Sequence, residues 1–141
     1  MAEYARRTKV PAERTRLEIE GLMTKRGADQ FFSGGDQNRA VLAFRLQGRH
    51  LRFQLPLGAT LTPQQVRSRW RQLLLVIKAK LEAIDIGILT LEEAFLGETV
   101  LPDKQTVAEY MAPQLESAYR SGKMPLALPY LGKDEDDDGR L

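Results

Sequence analysis

The apolar positions of this chain change their period along its length, and the change marks its elements. From Val41 to Leu46 and again from Arg49 to Leu55, apolar and polar residues alternate, and Gln47-Gly48 separates the two runs. Alternation is the period of a half-buried strand, and a two-residue connection with glycine where positive φ is needed is a hairpin turn. The spacing therefore predicts a tight β-hairpin. In its register Phe44 faces Leu51 and Leu42 faces Phe53, while on the opposite face Arg45 meets His50 and Ala43 meets Arg52. An isolated hairpin is marginal in water, so its apolar face requires a helix against it.

That helix is the next element. Thr62-Pro63-Gln64-Gln65 places a hydroxyl at the N-cap, proline at the first position and glutamine at the third, the pattern of a capping box. Val66, Trp70, Leu73, Leu74, Ile77, Leu81 and Ile84 then fall on one stripe at helical period. Trp70 belongs to this stripe and reads as core, which leaves Phe31, Phe32 or Tyr4, near a Gly34-Gly35-Asp36 loop, for any stacking role. Leu75 and Val76 lie off the stripe and suggest a second packing layer or a subunit contact.

Weaker patterns flank this centre. Leu17, Leu22 and Met23 recur near helical spacing between Pro11 and a stop at Gly27, predicting a helix over about Pro11–Arg26 behind an extended basic arm with Tyr4, Arg6, Arg7 and Lys9. After the long helix, Thr90-Leu91-Glu92-Glu93 is a second capping box, with Gly97 closing its short helix. Thr106-Val107-Ala108-Glu109 is a third. Pro113 is expected to split Val107 to Ser121 into a turn and a helix restarting at Pro113 and ending at Gly122. Pro125 and Pro129 make Met124 to Leu131 an extended apolar strap, and Lys133 to Leu141 is too polar to fold. The fold class is α+β: an N-terminal arm and helix, a central hairpin packed on a long amphipathic helix, C-terminal short helices, and an acidic disordered tail. One compact domain over residues 1–132 and a tail over 133–141 are expected, as 141 residues with 43% hydrophobic content can bury a core unaided.

Charge sharpens this picture. Gln37 to Leu81 holds nine Lys or Arg residues and the only histidine, His50, with no Asp or Glu, whereas Glu82 to Leu141 holds thirteen acidic residues against five basic ones. A formal charge of +2 thus conceals +9 in the middle and −8 at the end. Such segregation points to a polyanionic partner and an internal competitor for it. The hairpin's basic face is expected to carry Arg39, Arg45, Arg49, His50 and Arg52, with Arg67, Arg71 and Lys78 on one flank of the long helix and Arg69 and Lys80 on the other. Arg39, Arg45, Arg49, His50, Arg52, Arg67, Arg71 and Lys78 are the candidate phosphate contacts.

Other chemistry finds little support. The chain has no cysteine, one histidine, no Ser-His-Asp spacing and no phosphate-cradling glycine loop. Adjacent Glu92 and Glu93 point in different directions on a helix and serve a cap. No catalytic residue, metal or cofactor is assigned, and a non-catalytic role is expected. No segment approaches the run of about 18 apolar residues that would span a membrane, and the absence of cysteine fits a reducing compartment, so a cytoplasmic location is expected.

Several segments carry a resemblance: Tyr4-Ala5 through Lys9-Val10-Pro11, Glu18-Ile19-Glu20, Arg69-Trp70-Arg71-Gln72 through Leu81-Glu82, Val100-Leu101-Pro102-Asp103 through Met111-Ala112-Pro113, and Gly122-Lys123-Met124-Pro125. They resemble a family of small uncharacterised proteins encoded in bacteriophages and prophages. The resemblance implies a phage context, where genes of this size commonly serve DNA replication, recombination or counter-defence. It carries over no functional residue.

Together these readings lead to an accessory protein of phage replication or recombination that binds nucleic acid, single-stranded DNA above all, with the acidic tail as competitor. By physical analogy, single-strand binding and annealing proteins combine a basic surface with such a tail. The alternatives are an inhibitor or adaptor that engages a host or phage protein through its acidic segments as an anion mimic, and a virion assembly protein that self-associates through Leu75, Val76 and the strap.

Overall fold

A computed structural model describes residues 2–124, with side chains from residue 12 onward. The chain separates into two compact units, Met1–Ala108 and Glu109–Leu141. The expected strap beyond Met124 and the acidic tail lie outside the described residues.

The first unit is α+β. It contains helix α1 (Ala2–Lys25), strands β1 (Asp29–Gly35), β2 (Arg39–Leu46) and β3 (Arg49–Pro56), helix α2 (Pro63–Asp85) and the one-turn helix α3 (Leu91–Ala94). The strands form an antiparallel sheet in the order β1-β2-β3. The predicted hairpin is present in the predicted register, with Phe44 opposite Leu51, Leu42 opposite Phe53, Arg45 opposite His50 and Ala43 opposite Arg52. Gln47 and Gly48 both take positive φ, 50° and 78°, as a turn matching the twist of the two strands demands.

Alternation sends Leu42, Phe44 and Leu46 of β2 and Leu51, Phe53 and Leu55 of β3 to one side, where all six are buried. The stripe Trp70, Leu74, Ile77 and Leu81 of α2 joins them in a single apolar cluster with Ile19, Met23 and Phe95. Phe44 contacts the rings of Phe31 at 5.7 Å and Phe53 at 5.8 Å, and Phe53 meets Phe95 edge-on at 6.0 Å. At the start of α2 the capping box is complete: Gln65 donates its backbone N–H to Thr62 Oγ1 at 3.1 Å, and Thr62 donates its own to Gln65 Oε1 at 2.8 Å. Thr90 and Glu93 repeat the arrangement at α3. Trp70 is buried as expected, while Leu75 and Val76 are exposed.

Three expectations are corrected. The N-terminal segment is helical from Ala2, not an extended arm, and α1 continues through Pro11. Ala2, Glu3, Ala5, Arg6 and Arg7 are strong helix formers, and their summed preference carries the helix past a residue that contributes no N–H. Its buried face is Thr15, Ile19 and Met23, one turn apart, and Leu17 is exposed. Gly34 and Gly35, expected in a loop, instead end the edge strand β1. Finally, helix α4 (Val107–Ser121) is continuous through Pro113 and does not split there.

From Glu109 onward, the second unit consists of the rest of α4 and the residues that follow it. The helix ends as predicted at Gly122, whose N–H reaches the Ala118 carbonyl at 2.7 Å. Arg120 pairs with Glu116 one turn back at 3.5 Å. Among the described residues no helix is long and apolar enough to cross a membrane.

Candidate nucleic-acid interface

The side of the sheet facing away from the core is set by the same alternation. The β2–β3 register places Arg39, Val41, Ala43 and Arg45 beside His50, Arg52 and Gln54 on this outer side. The β1–β2 register adds Asp29, Phe32 and Gly34, opposite Arg45, Ala43 and Val41 respectively. The result is a shallow floor of small residues with three of the predicted arginines and His50 around it and one aromatic ring on it.

Phe32 is the aromatic group. Its side chain is 59% exposed and folds along the strand over Gly34, where an added Cβ would lie 2.9 Å from the ring's Cζ. Phe31 points to the opposite side, against Phe44. Of the two stacking candidates whose side chains are described, Phe32 is the one on the outer face. Tyr4 lies where side chains are outside the described residues.

The cations are less free than a carboxylate-free window suggested. Arg45 donates Nε to Asp29 Oδ1 at 3.0 Å and Nη2 to Oδ2 at 2.8 Å. These charge-assisted bonds hold the Asp29 carboxyl below the usual carboxylate range and raise the Arg45 guanidinium. Arg39 donates to Gln54 Oε1 at 3.2 Å, and Arg52 donates Nη1 to the Lys104 carbonyl at 2.8 Å. The backbone beyond β3 is also occupied. Arg52 donates its N–H to the Glu98 carbonyl at 2.9 Å, and Val100 donates to that of His50 at 2.8 Å. The exposed His50 side chain remains on the rim.

The remaining predicted residues lie elsewhere. Arg49 pairs with Leu46, so it sits on the core side at the tip of the hairpin, not on the basic face, and it bonds Glu92 of α3 at 3.1 Å. Arg67, Arg71 and Lys78 belong to α2, which packs on the core side of the sheet, so the eight candidate residues form no single groove. Lys78 lies 3.6 Å from Glu18 of α1. Arg67 and Arg71 border a shallow cavity of about 340 Å³ with Gln64, Ser68, Gln72 and Leu75, and Arg67 Nε is buried there without a hydrogen-bond partner among the described residues. On the other flank of α2, Arg69 donates to the Pro56 carbonyl at 2.9 Å and Lys80 to that of Ala94 at 2.6 Å.

Among the described residues no group of three or more His, Asp or Glu side chains gathers as metal ligands would. No protein-family model, curated protein or solved structure matches the chain.

Proposed function

We propose that this chain is a non-catalytic accessory protein that binds single-stranded nucleic acid, DNA in the replication or recombination setting implied by the phage resemblance, through the outer face of its sheet. The observation that carries the reading is the exposure of Phe32 among Arg39, Arg45, His50 and Arg52 on a face to which the three strands contribute one carboxylate, Asp29. Phosphates are attracted to such a rim without sequence readout, and affinity falls as salt rises because condensed counterions are released on binding. A groove-reading mode is not supported by α2, which buries its apolar face in the core. The acidic tail competes for the same face through its charge.

The test is a pair of neutralising substitutions, R39Q with R45Q, measured by fluorescence anisotropy of a labelled single-stranded oligonucleotide. The expected result is weaker binding with a salt slope reduced by about one per lost phosphate contact. Unchanged affinity and slope would remove the outer face from the interface.

A second reading rests on the connection between α2 and α3, where Ile86 and Ile88 are 65% and 68% exposed. Neighbouring exposed apolar side chains favour a protein contact, as an adaptor or assembly role would need. Size-exclusion chromatography with light scattering would detect self-association there, and I88E would abolish it.

A further inference from the structure

Building on the proposed single-strand reading, we infer that Phe32 and Gly34 form a seat for one unpaired nucleobase, with Gly34 as the residue that shapes it. Side chains two apart on a strand project to the same face, so a residue at position 34 would normally stand beside Phe32 and prop its ring upright. Glycine removes that neighbour. The ring then folds down over the Gly34 backbone, and a Cβ at this position would come within 2.9 Å of Cζ and 3.2 Å of Cε2. An aromatic ring resting on the sheet while 59% exposed offers a π-face to solvent.

The surroundings select the occupant. Val41 and Ala43, opposite Gly34 and Phe32 in the register, continue a low floor on which a second planar group can rest. Arg39 and Arg45 lie two residues beyond that pair in either direction along β2, and Arg52 lies across from Ala43 on β3. A planar apolar group with anions attached on its flanks complements this layout, and a nucleotide within a strand has that chemistry. A second copy of this face would bring the same cations together and be repelled. Bases within a duplex have their faces already stacked on one another, so the seat takes unpaired bases and favours single strands.

The fold supplies its own optical test. Trp70, the chain's only tryptophan, is buried in the core at 8% exposure, so F32W adds a surface fluorophore against a constant background. Oligothymidylate and oligouridylate should quench the added emission of F32W as they bind, while an abasic oligodeoxynucleotide of equal length leaves it unchanged. F32A should lower affinity for oligothymidylate by about tenfold, since stacking one base on an aromatic side chain is worth that order. G34A, which lifts the ring without removing it, should weaken binding by less than F32A. Thermal melting of each variant establishes that it is folded.

Four results would overturn the seat. If wild type binds oligothymidylate but F32W emission does not respond, or F32A binds as wild type does, the strand follows the rim alone and the seat falls while the broader reading stands. Equal quenching by the abasic strand would show that the backbone, not a base, approaches residue 32. If wild type binds neither oligonucleotide, the reading beneath the seat falls with it.

Discussion

Asp29 faces Arg45 across β1 and β2 because of one extra residue. Regular pairing from Phe32 with Ala43 would set Asp29 against Leu46, on the core side, but the register shifts between Asp29 and Phe32 and brings Asp29 opposite Arg45. Gln30 takes up the shift at φ 57°, a conformation that side chains other than glycine, Asn and Asp seldom adopt. β-bulges re-aim side chains in this way. Here the bulge delivers to the outer face the one carboxylate that the strands contribute, aimed at the Nε and Nη2 edge of Arg45 that a phosphate would use.

Substituting D29N should therefore strengthen single-strand binding by about twofold to fivefold, the scale of an exposed ion pair, and steepen its salt dependence. Anisotropy titrations of D29N beside wild type, at two salt concentrations, check this. Weaker binding by D29N would mean that the carboxylate orients Arg45 for the ligand and does not compete with it.

The acidic tail should act on the same face over a longer range. Replacing the carboxylates of Asp134 to Asp138 by amides in the full chain should tighten binding at low salt, with the difference from wild type vanishing as salt is raised, because exposed charges beyond a Debye length are screened. Parallel titrations across a salt series read the effect directly.

Turn chemistry predicts a gain in stability. Gln47 occupies positive φ without the local hydrogen bonding that lets asparagine tolerate it, so Q47N, creating an Asn-Gly turn, should stabilise the fold by about 0.5–1 kcal/mol. Replacing Gly48 with valine should cost at least about 1 kcal/mol. Urea denaturation gives both values.

The core prediction is larger. Phe44 is 1% exposed and touches the rings of Phe31 and Phe53, so F44A should cost about 3–5 kcal/mol through lost burial and the cavity it leaves. T62A, which removes the N-cap oxygen of α2, should cost about 1 kcal/mol. Thermal and urea melts separate these effects.

The response to acid has a definite sign. Hydrogen bonds from Arg45 to Asp29 and from Arg26 to Asp85 hold these carboxyls below their ordinary value of 3.8, and bonds from Gln105 do the same for Asp103. A folded-state value below the unfolded one gives stability that is fully present above the ordinary value and is lost as pH falls through the depressed values. Carboxyl NMR titration should find all three midpoints below 3.8, and R45Q should return that of Asp29 towards it.

The parts legible in the sequence are those written by local chemistry. Gln47-Gly48 fixed the register of every pair in the hairpin, and Thr62-Pro63-Gln64-Gln65 located the start of α2. The same turn also sets Arg49 opposite Leu46, so its place on the core side was readable from the hairpin. β1 was not, because Asp-Gln-Phe-Phe-Ser-Gly-Gly lacks alternation and its glycine pair signals a loop. The ion pairs of Arg45 with Asp29, Arg49 with Glu92 and Lys78 with Glu18 join residues far apart in sequence. A window free of carboxylates says nothing about those that folding brings in. Pro11 reads as a helix start and Pro113 as a break because proline interrupts the backbone hydrogen-bond ladder, and in both helices the surrounding sequence prevails.

The most direct measurement is fluorescence anisotropy of matched single-stranded and duplex DNA titrated with the full chain at low and at physiological salt. The account predicts salt-sensitive binding that is tighter for the single strand. No binding of either at low salt, or a clear preference for the duplex, would contradict it.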